Sequence, residues 1–224
     1  MESITNKITM KKLFAIALAA ALILPGRMAN AQVAAGAGII SSSLTGRYNG
    51  NEAKSSTATG YYAGASYVLE LPYGILLTPG AYLSCISKQS DNGLTIGPVS
   101  QNTKTKFNEW ALNIPVYATY GTASSADTKV FLYLGPTLQL GLSSKSQSNT
   151  KGSQNAANSD VNYYADGYFH RFNIYFGGGV GATLKEKYVF TLGYHKGLLD
   201  LYAGDKEKTS YYRSNFLLSF NYLF

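Results

Sequence analysis

The last ten residues constrain this chain more than any other segment. Phe216, Leu218, Phe220, Tyr222 and Phe224 alternate with Asn215, Leu217, Ser219, Asn221 and Leu223. A period of two is the signature of a β-strand with one apolar face. That face is aromatic up to the final residue, so a strand rather than a loop or helix closes the sequence.

The same alternation recurs upstream. Phe172–Leu184 sets Phe172, Ile174, Phe176, Gly178 and Val180 against Asn173, Tyr175, Gly177, Gly179 and Gly181. Val130–Gly141, Glu109–Tyr120 and Tyr61–Glu70 repeat it, with Glu109, Asn113, Tyr117, Tyr133 and Tyr62 on the more polar faces. Val33–Ser43, Ile75–Lys88 and Tyr188–Lys196 complete eight candidate strands. Most run well past the mean soluble strand of about 5–6 residues and meet the span of about 9–11 residues that a bilayer needs. Their apolar faces end in aromatics such as Trp110 and Tyr120, the layout of interfacial girdles. The connections alternate. Leu71–Gly74, Gly121–Lys129 and Lys185–Lys187 are short, whereas Leu44–Thr59, Gln89–Phe107, Ser144–Phe169 and Gly197–Tyr211 are long. Within the third of these, Gln147–Asn162 is polar and reads as a mobile surface loop. Short turns at one end and long loops at the other predict an all-β, eight-stranded antiparallel up-and-down transmembrane β-barrel, its long loops facing the cell exterior.

The N-terminus reads as a targeting segment. Lys11 and Lys12 precede the apolar run Leu13–Pro25, and Ala29-Asn30-Ala31 places small residues where signal peptidase cuts. The expected division is a removed signal at 1–31 and a barrel domain at 32–224, with Met10 an alternative start to Met1. Removing Lys7, Lys11, Lys12, Arg27 and Glu2 takes the 19 basic and 12 acidic residues of the chain to 15 and 11. That mild excess does not point to nucleic acid. Cys85 is the single cysteine, so an internal disulfide is excluded, and it reads as an outward-facing small apolar residue. His170 and His195 are the two histidines, too few for a transition-metal site, and no cofactor is expected.

The final strand resembles the C-terminal signal of outer-membrane barrels, which the assembly machinery recognises; here Phe216, Leu218, Phe220, Tyr222 and Phe224 would carry it. Leu112-Asn113-Ile114-Pro115, Leu134-Gly135-Pro136 and Phe176-Gly177-Gly178-Gly179-Val180-Gly181 resemble the outer membrane β-barrel family that includes PorT-like proteins and small OmpX- and OmpA-like barrels. The family commonly has Leu-Glu-Ile-Pro where this chain has Asn113, so a role resting on an internal carboxylate there does not carry over. The resemblance implies residence in the cell outer membrane.

An eight-stranded barrel is just wide enough to be filled by side chains, here Tyr62, Tyr82, Tyr117, Tyr133 and Tyr175, with Gly177, Gly179 and Gly181 giving the rings room. No open pore is therefore expected. Neither histidine sits in a His-x-Ser arrangement, so no catalytic residue is assigned and the chain is read as a non-enzyme. Glu70, Lys88, Glu109, Arg171 and His195 are candidate inward charges, which need partners when buried and predict internal ion pairs. Lys54, Lys104, Lys106, Lys145, Lys151, Lys206 and Lys208 fall on the outer loops, where they would meet lipopolysaccharide phosphates. The expected role is structural or one of surface interaction with lipid, lipopolysaccharide or surface proteins. The alternatives are a lipid A deacylase or acyltransferase, a barrel within a gliding or secretion complex, and a soluble periplasmic β-barrel binder. Pro79, Pro115 and Pro136 fall inside predicted strands, and each should mark a bulge or a missing ladder bond.

Overall fold

The computed structural model describes residues 32–49, 51–52, 56–96, 99–125, 127–151, 158–204 and 209–224. The proposed signal segment lies outside them. The strands are β1 (Gln32–Tyr48), β2 (Asn51–Glu52), β3 (Ser56–Glu70), β4 (Ile75–Ile96), β5 (Val99–Ser125), β6 (Thr128–Lys151), β7 (Asn158–Asn162), β8 (Phe172–Leu184), β9 (Tyr188–Gly197) and β10 (Thr209–Leu223). Eight of them form a ring in the order β10-β9-β8-β6-β5-β4-β3-β1, and β10 pairs with β1 antiparallel to close it. Closure removes the edges that an open sheet would expose within lipid. The final strand is therefore part of the seam: Ala37 lies opposite Phe220 and Ser41 opposite Phe216.

The side chains sort as the alternation predicts. Phe216, Leu218 and Phe220 face outward beside Phe190, Leu192, Leu132, Leu134 and Val180, all exposed. A contiguous apolar belt of this kind is far larger than a water-soluble monomer leaves bare, and lipid is what covers it. Aromatics rim it at both ends. Tyr61 and Trp110 flank Cys85 on neighbouring strands toward the long-loop end. At the short-turn end, Tyr188 stacks near Phe220 and touches Tyr222, which meets Phe224. Tyr73 protrudes there on a turn, almost fully exposed and at φ 68°, the posture of an interfacial anchor. Leu69 departs from the pattern: it belongs to the apolar face of β3 yet is buried.

Each of the three prolines lies beside a gap. Pairing of β3 with β4 passes from Ser66/Gly80 to Leu69/Leu77, skipping Pro79; β4 with β5 skips Pro115; β5 with β6 skips Pro136. Missing N–H donors leave missing rungs. The one bulge within the lumen-lining ladder is elsewhere, at Leu142 of β6, where Trp110 faces Ser143 but Ala111 faces Gly141. It switches the inward parity of β6 from Gly141 to Ser144.

Two expectations about the long-loop end are corrected. Gln89–Phe107 is not a loop, because β4 runs to Ile96 and β5 resumes at Val99. Gln147–Asn162 is not a mobile loop where it is described, because Gln147–Asn149 pairs with Asn158–Asp160 as β6 with β7; residues 152–157 of that segment lie outside the described residues. Strand lengths accordingly reach 27 residues in β5, well past the bilayer. Hydrogen-bonding polar strands continue in water what the apolar strands begin in lipid.

Candidate functional site

The lumen has two unlike halves. Toward the long-loop end it is plugged. Glu109 on β5 and Arg213 on β10 reach across the barrel; Arg213 Nη1 donates to Glu109 Oε1, and Nη2 donates to Oε2 at 2.9 Å. Both side chains are at most 5% exposed. A two-pronged guanidinium–carboxylate pair is the geometry in which a charge tolerates burial. Ser144, placed inward by the Leu142 bulge, donates to Glu109 Oε2 at 3.5 Å. Beneath the pair runs a polar relay. Tyr175 donates to Gln139 Oε1 at 3.0 Å, Gln139 Nε2 to Asn113 Oδ1 at 2.9 Å, and Asn113 Nδ2 to Ser84 Oγ at 2.8 Å.

Above the pair, the connections to β8 and β10 fold over the mouth. Tyr163 stacks on Phe169 at 5.2 Å and meets Phe107 at 6.0 Å; Phe169 meets Tyr211 at 5.7 Å. His170 N–H donates to Leu201 O at 2.8 Å and Ala203 N–H to Tyr168 O at 3.0 Å, joining the two connections. Asp200 Oδ1 accepts from the backbone of Tyr202 and Tyr211, pinning the second to β10. Tyr164 drops into the barrel against Gly141, where even a Cβ would come within 2.3 Å of its ring. Burial, with Glu109 close by, pushes the Tyr164 phenol above its ordinary pKa.

Toward the short-turn end the lumen holds a cavity of about 590 Å³. This corrects the expectation that side chains fill the barrel. Tyr62, Tyr82, Tyr117 and Tyr133 do point inward, but as walls. Leu71, Gly74, Val189 and Leu223 mark its mouth, and Ser84, Thr137, Tyr175, His195 and Asn215 its blind end. Gly193 leaves room for the tip of Tyr133 against β9, its missing Cβ falling 2.0 Å from the phenol oxygen.

Of the expected inward charges, Glu109 and His195 are inside and 1% and 3% exposed. The others are not. Glu70 sits exposed at the cavity mouth, Lys88 donates to Ser56 Oγ at an exposed site, and Arg171 lies exposed over the Tyr164 ring. Arg213 was missed, although counting back by twos from Asn215 reaches it. His170 is exposed at the rim and Cys85 faces outward, as expected. Lys104, Lys106 and Lys145 are exposed on the extended sheet. They are interleaved with acids, since Asp91 pairs with Lys104 and Asp160 with Gln147, so they do not form a wholly basic patch. Lys54, Lys206 and Lys208 lie outside the described residues, as does the side chain of Lys151.

The chain matches, over residues 26–203, the family described as outer membrane protein beta-barrel domain. No curated protein matches it. Among solved structures it is similar to Ail, the attachment invasion locus protein of Yersinia pestis, in complex with the heparin analogue sucrose octasulfate. That likeness has 9% identity and a TM-score of 0.44 over 86% of this chain and 99% of that one. Neisserial surface protein A shares 12% identity, with a TM-score of 0.42 over 87% and 99%. The outer membrane enzyme PagL shares 12%, with a TM-score of 0.31 over 81% and 97%.

Proposed function

This chain belongs to the outer membrane protein β-barrel family and resides in the cell outer membrane, and we propose that there it acts as a closed, non-conducting surface-interaction barrel. The plugged outer lumen carries this reading. A charge pair, a side-chain relay and an aromatic cap in series leave solutes no continuous path, so the working surface is the sheet that rises beyond the lipid. In that sheet β4 continues from Lys88 to Ile96 after Ser87, its last residue paired with β3. Among the described residues no strand pairs with that edge of β4, and the N–H and C=O groups of such an edge accept a strand from another protein. Lys104, Lys106 and Lys145 sit lower on the same sheet, where lipopolysaccharide phosphates are within reach. The C-terminal strand, with Phe216, Leu218, Phe220, Tyr222 and Phe224, serves recognition by the barrel assembly machinery. No step of this reading is catalytic.

Two measurements test it together. In planar bilayers the purified barrel gives no discrete conductance steps; regular steps would mean a pore. Replacing Lys88–Phe107 with a tight Asn-Gly turn between Ser87 and Asn108 leaves the heat-modifiable gel shift intact and abolishes adhesion of expressing cells to surface-coated protein partners. Undiminished adhesion would remove the extended β4–β5 sheet from the function.

A further inference from the structure

We propose that the inner cavity is a binding site for a neutral, hydroxyl-headed amphiphile that enters from the short-turn end. Two observations independent of the plug carry this. One is shape. At about 590 Å³ the cavity lies within the roughly 300–1,000 Å³ range of ligand pockets, which are lined by apolar and aromatic side chains with a few placed polar groups. Its walls are Tyr62, Tyr82, Phe131, Tyr133, Leu217 and Leu223. His195 and Val189 bracket it along β9, about 20 Å of strand at about 3.4 Å per residue, so an elongated molecule fits better than a round one.

The other observation is a pair of unsatisfied polar atoms at the blind end. Among the described residues, three buried side-chain atoms have no hydrogen-bond partner: His195 Nε2 and Asn215 Oδ1 on residues that line the cavity, and Asn173 Nδ2 on a residue that does not. The first two belong to directly opposed residues of β9 and β10, which puts their Cβ atoms about 5 Å apart on one face. His195 Nδ1 lies 3.4 Å from the Tyr117 hydroxyl, which also lies 3.0 Å from Thr137 Oγ1. With Tyr117 donating to Nδ1, the ring hydrogen sits on Nε2. The floor then carries one donor and one acceptor, on opposed residues of β9 and β10. Both atoms are closed to solvent in this structure, so the two side chains must turn toward the cavity for a single hydroxyl to satisfy both, accepting from Nε2–H and donating to Oδ1. Buried polar atoms left unmade are costly, so the floor favours a head group that completes them.

Charge selects against other heads. Apart from His195, only Glu70 and Lys129 among the lining residues are ionisable with a formal charge, and both are at the mouth. Lys129 already meets Glu186 at 3.3 Å. Arg213 lies beyond the blind end and is taken by Glu109. A carboxylate or an ammonium would arrive without a counter-ion, whereas an alcohol or phenol arrives without need of one.

The test uses the full barrel in lipid nanodiscs with 4-nonylphenol, and its methyl ether as the partner probe; the ether accepts a hydrogen bond but cannot donate one. Binding is read by calorimetry against empty nanodiscs. The expected result is saturable 1:1 binding of the phenol in excess of bilayer partition, at least tenfold tighter than the ether. Asn215→Leu weakens phenol binding about tenfold and leaves the ether unchanged. Thr119→Trp, which narrows the approach from the mouth, abolishes both. Retention of the heat-modifiable gel shift shows that each variant is folded. Binding no greater than in empty nanodiscs would overturn the proposal. So would equal affinity for phenol and ether that Asn215→Leu does not change, because the cavity would then be an apolar hole without a recognising floor.

Discussion

The outer and inner halves of this lumen are built on the same eight strands, yet one is solid and the other hollow. In the outer half, inward positions carry long polar side chains with complementary ends: Glu109, Arg213 and Gln139. In the inner half they carry tyrosines beside glycines or small residues, as with Tyr133 against Gly193 and Tyr62 against Gly38. Polar groups that meet across a barrel fill it, because each buried donor demands an acceptor. The rings pair with their neighbours, Tyr62 with Tyr82 at 5.9 Å and Tyr117 with Tyr133 at 5.0 Å, yet have no polar ends that must meet across the lumen, and a cavity of about 590 Å³ remains. Stability should therefore be concentrated in the outer half and binding capacity in the inner half.

The largest expected effect breaks the plug. Arg213→Ala leaves Glu109 buried and unpaired, and should cost about 3–5 kcal/mol. Urea unfolding in phospholipid vesicles, followed by fluorescence of Trp110, the single tryptophan, measures it. The double variant Glu109→Leu with Arg213→Met should recover much of that loss; a strictly additive double variant would show that the pair is not acting as a unit.

A matched pair of glycine substitutions sharpens the comparison. Gly141→Ala forces Tyr164 out of a filled space and should cost about 1–3 kcal/mol, the usual range for overpacking. Gly193→Ala presses on Tyr133, which can swing into the cavity, so its cost should stay under about 1 kcal/mol by the same rule. Equal costs would mean that the inner cavity does not yield.

Hydroxyl deletions give a smaller contrast. Tyr175→Phe orphans Gln139 Oε1 in the plug and should cost about 1–3 kcal/mol. Tyr82→Phe removes weaker contacts at 3.2 and 3.3 Å to Ser66 and Asn221 in the open half, and should cost about 0.5 kcal/mol. Smallest of all, the triple change of Lys104, Lys106 and Lys145 to Ala touches neither half. Stability should stay within about 0.5 kcal/mol per site. Binding to lipopolysaccharide vesicles should weaken by up to about 1 kcal/mol per lysine at low salt, less where Asp91 and Asp160 already offset the charge.

The sequence determined the wall. Eight strands, their inward and outward faces, the outward Cys85 and the short turns all follow from a period of two in a chain whose outer face meets lipid, because lipid imposes a hydrophobic pattern strong enough to read one residue at a time. The gaps beside Pro79, Pro115 and Pro136 follow from a missing donor and were equally legible. Beyond the lipid no such pattern exists. The polar ends of β4, β5 and β6, and all of β7, look like loops in sequence because no sustained apolar alternation marks them; only cross-strand pairing made them sheet. Tertiary structure also decided what lies inside. Arg213 and Glu109 are 104 residues apart, and nothing local to either names the other. Whether inward side chains meet across a barrel depends on closure, stagger and a single bulge at Leu142, which are properties of the ring and of no single strand.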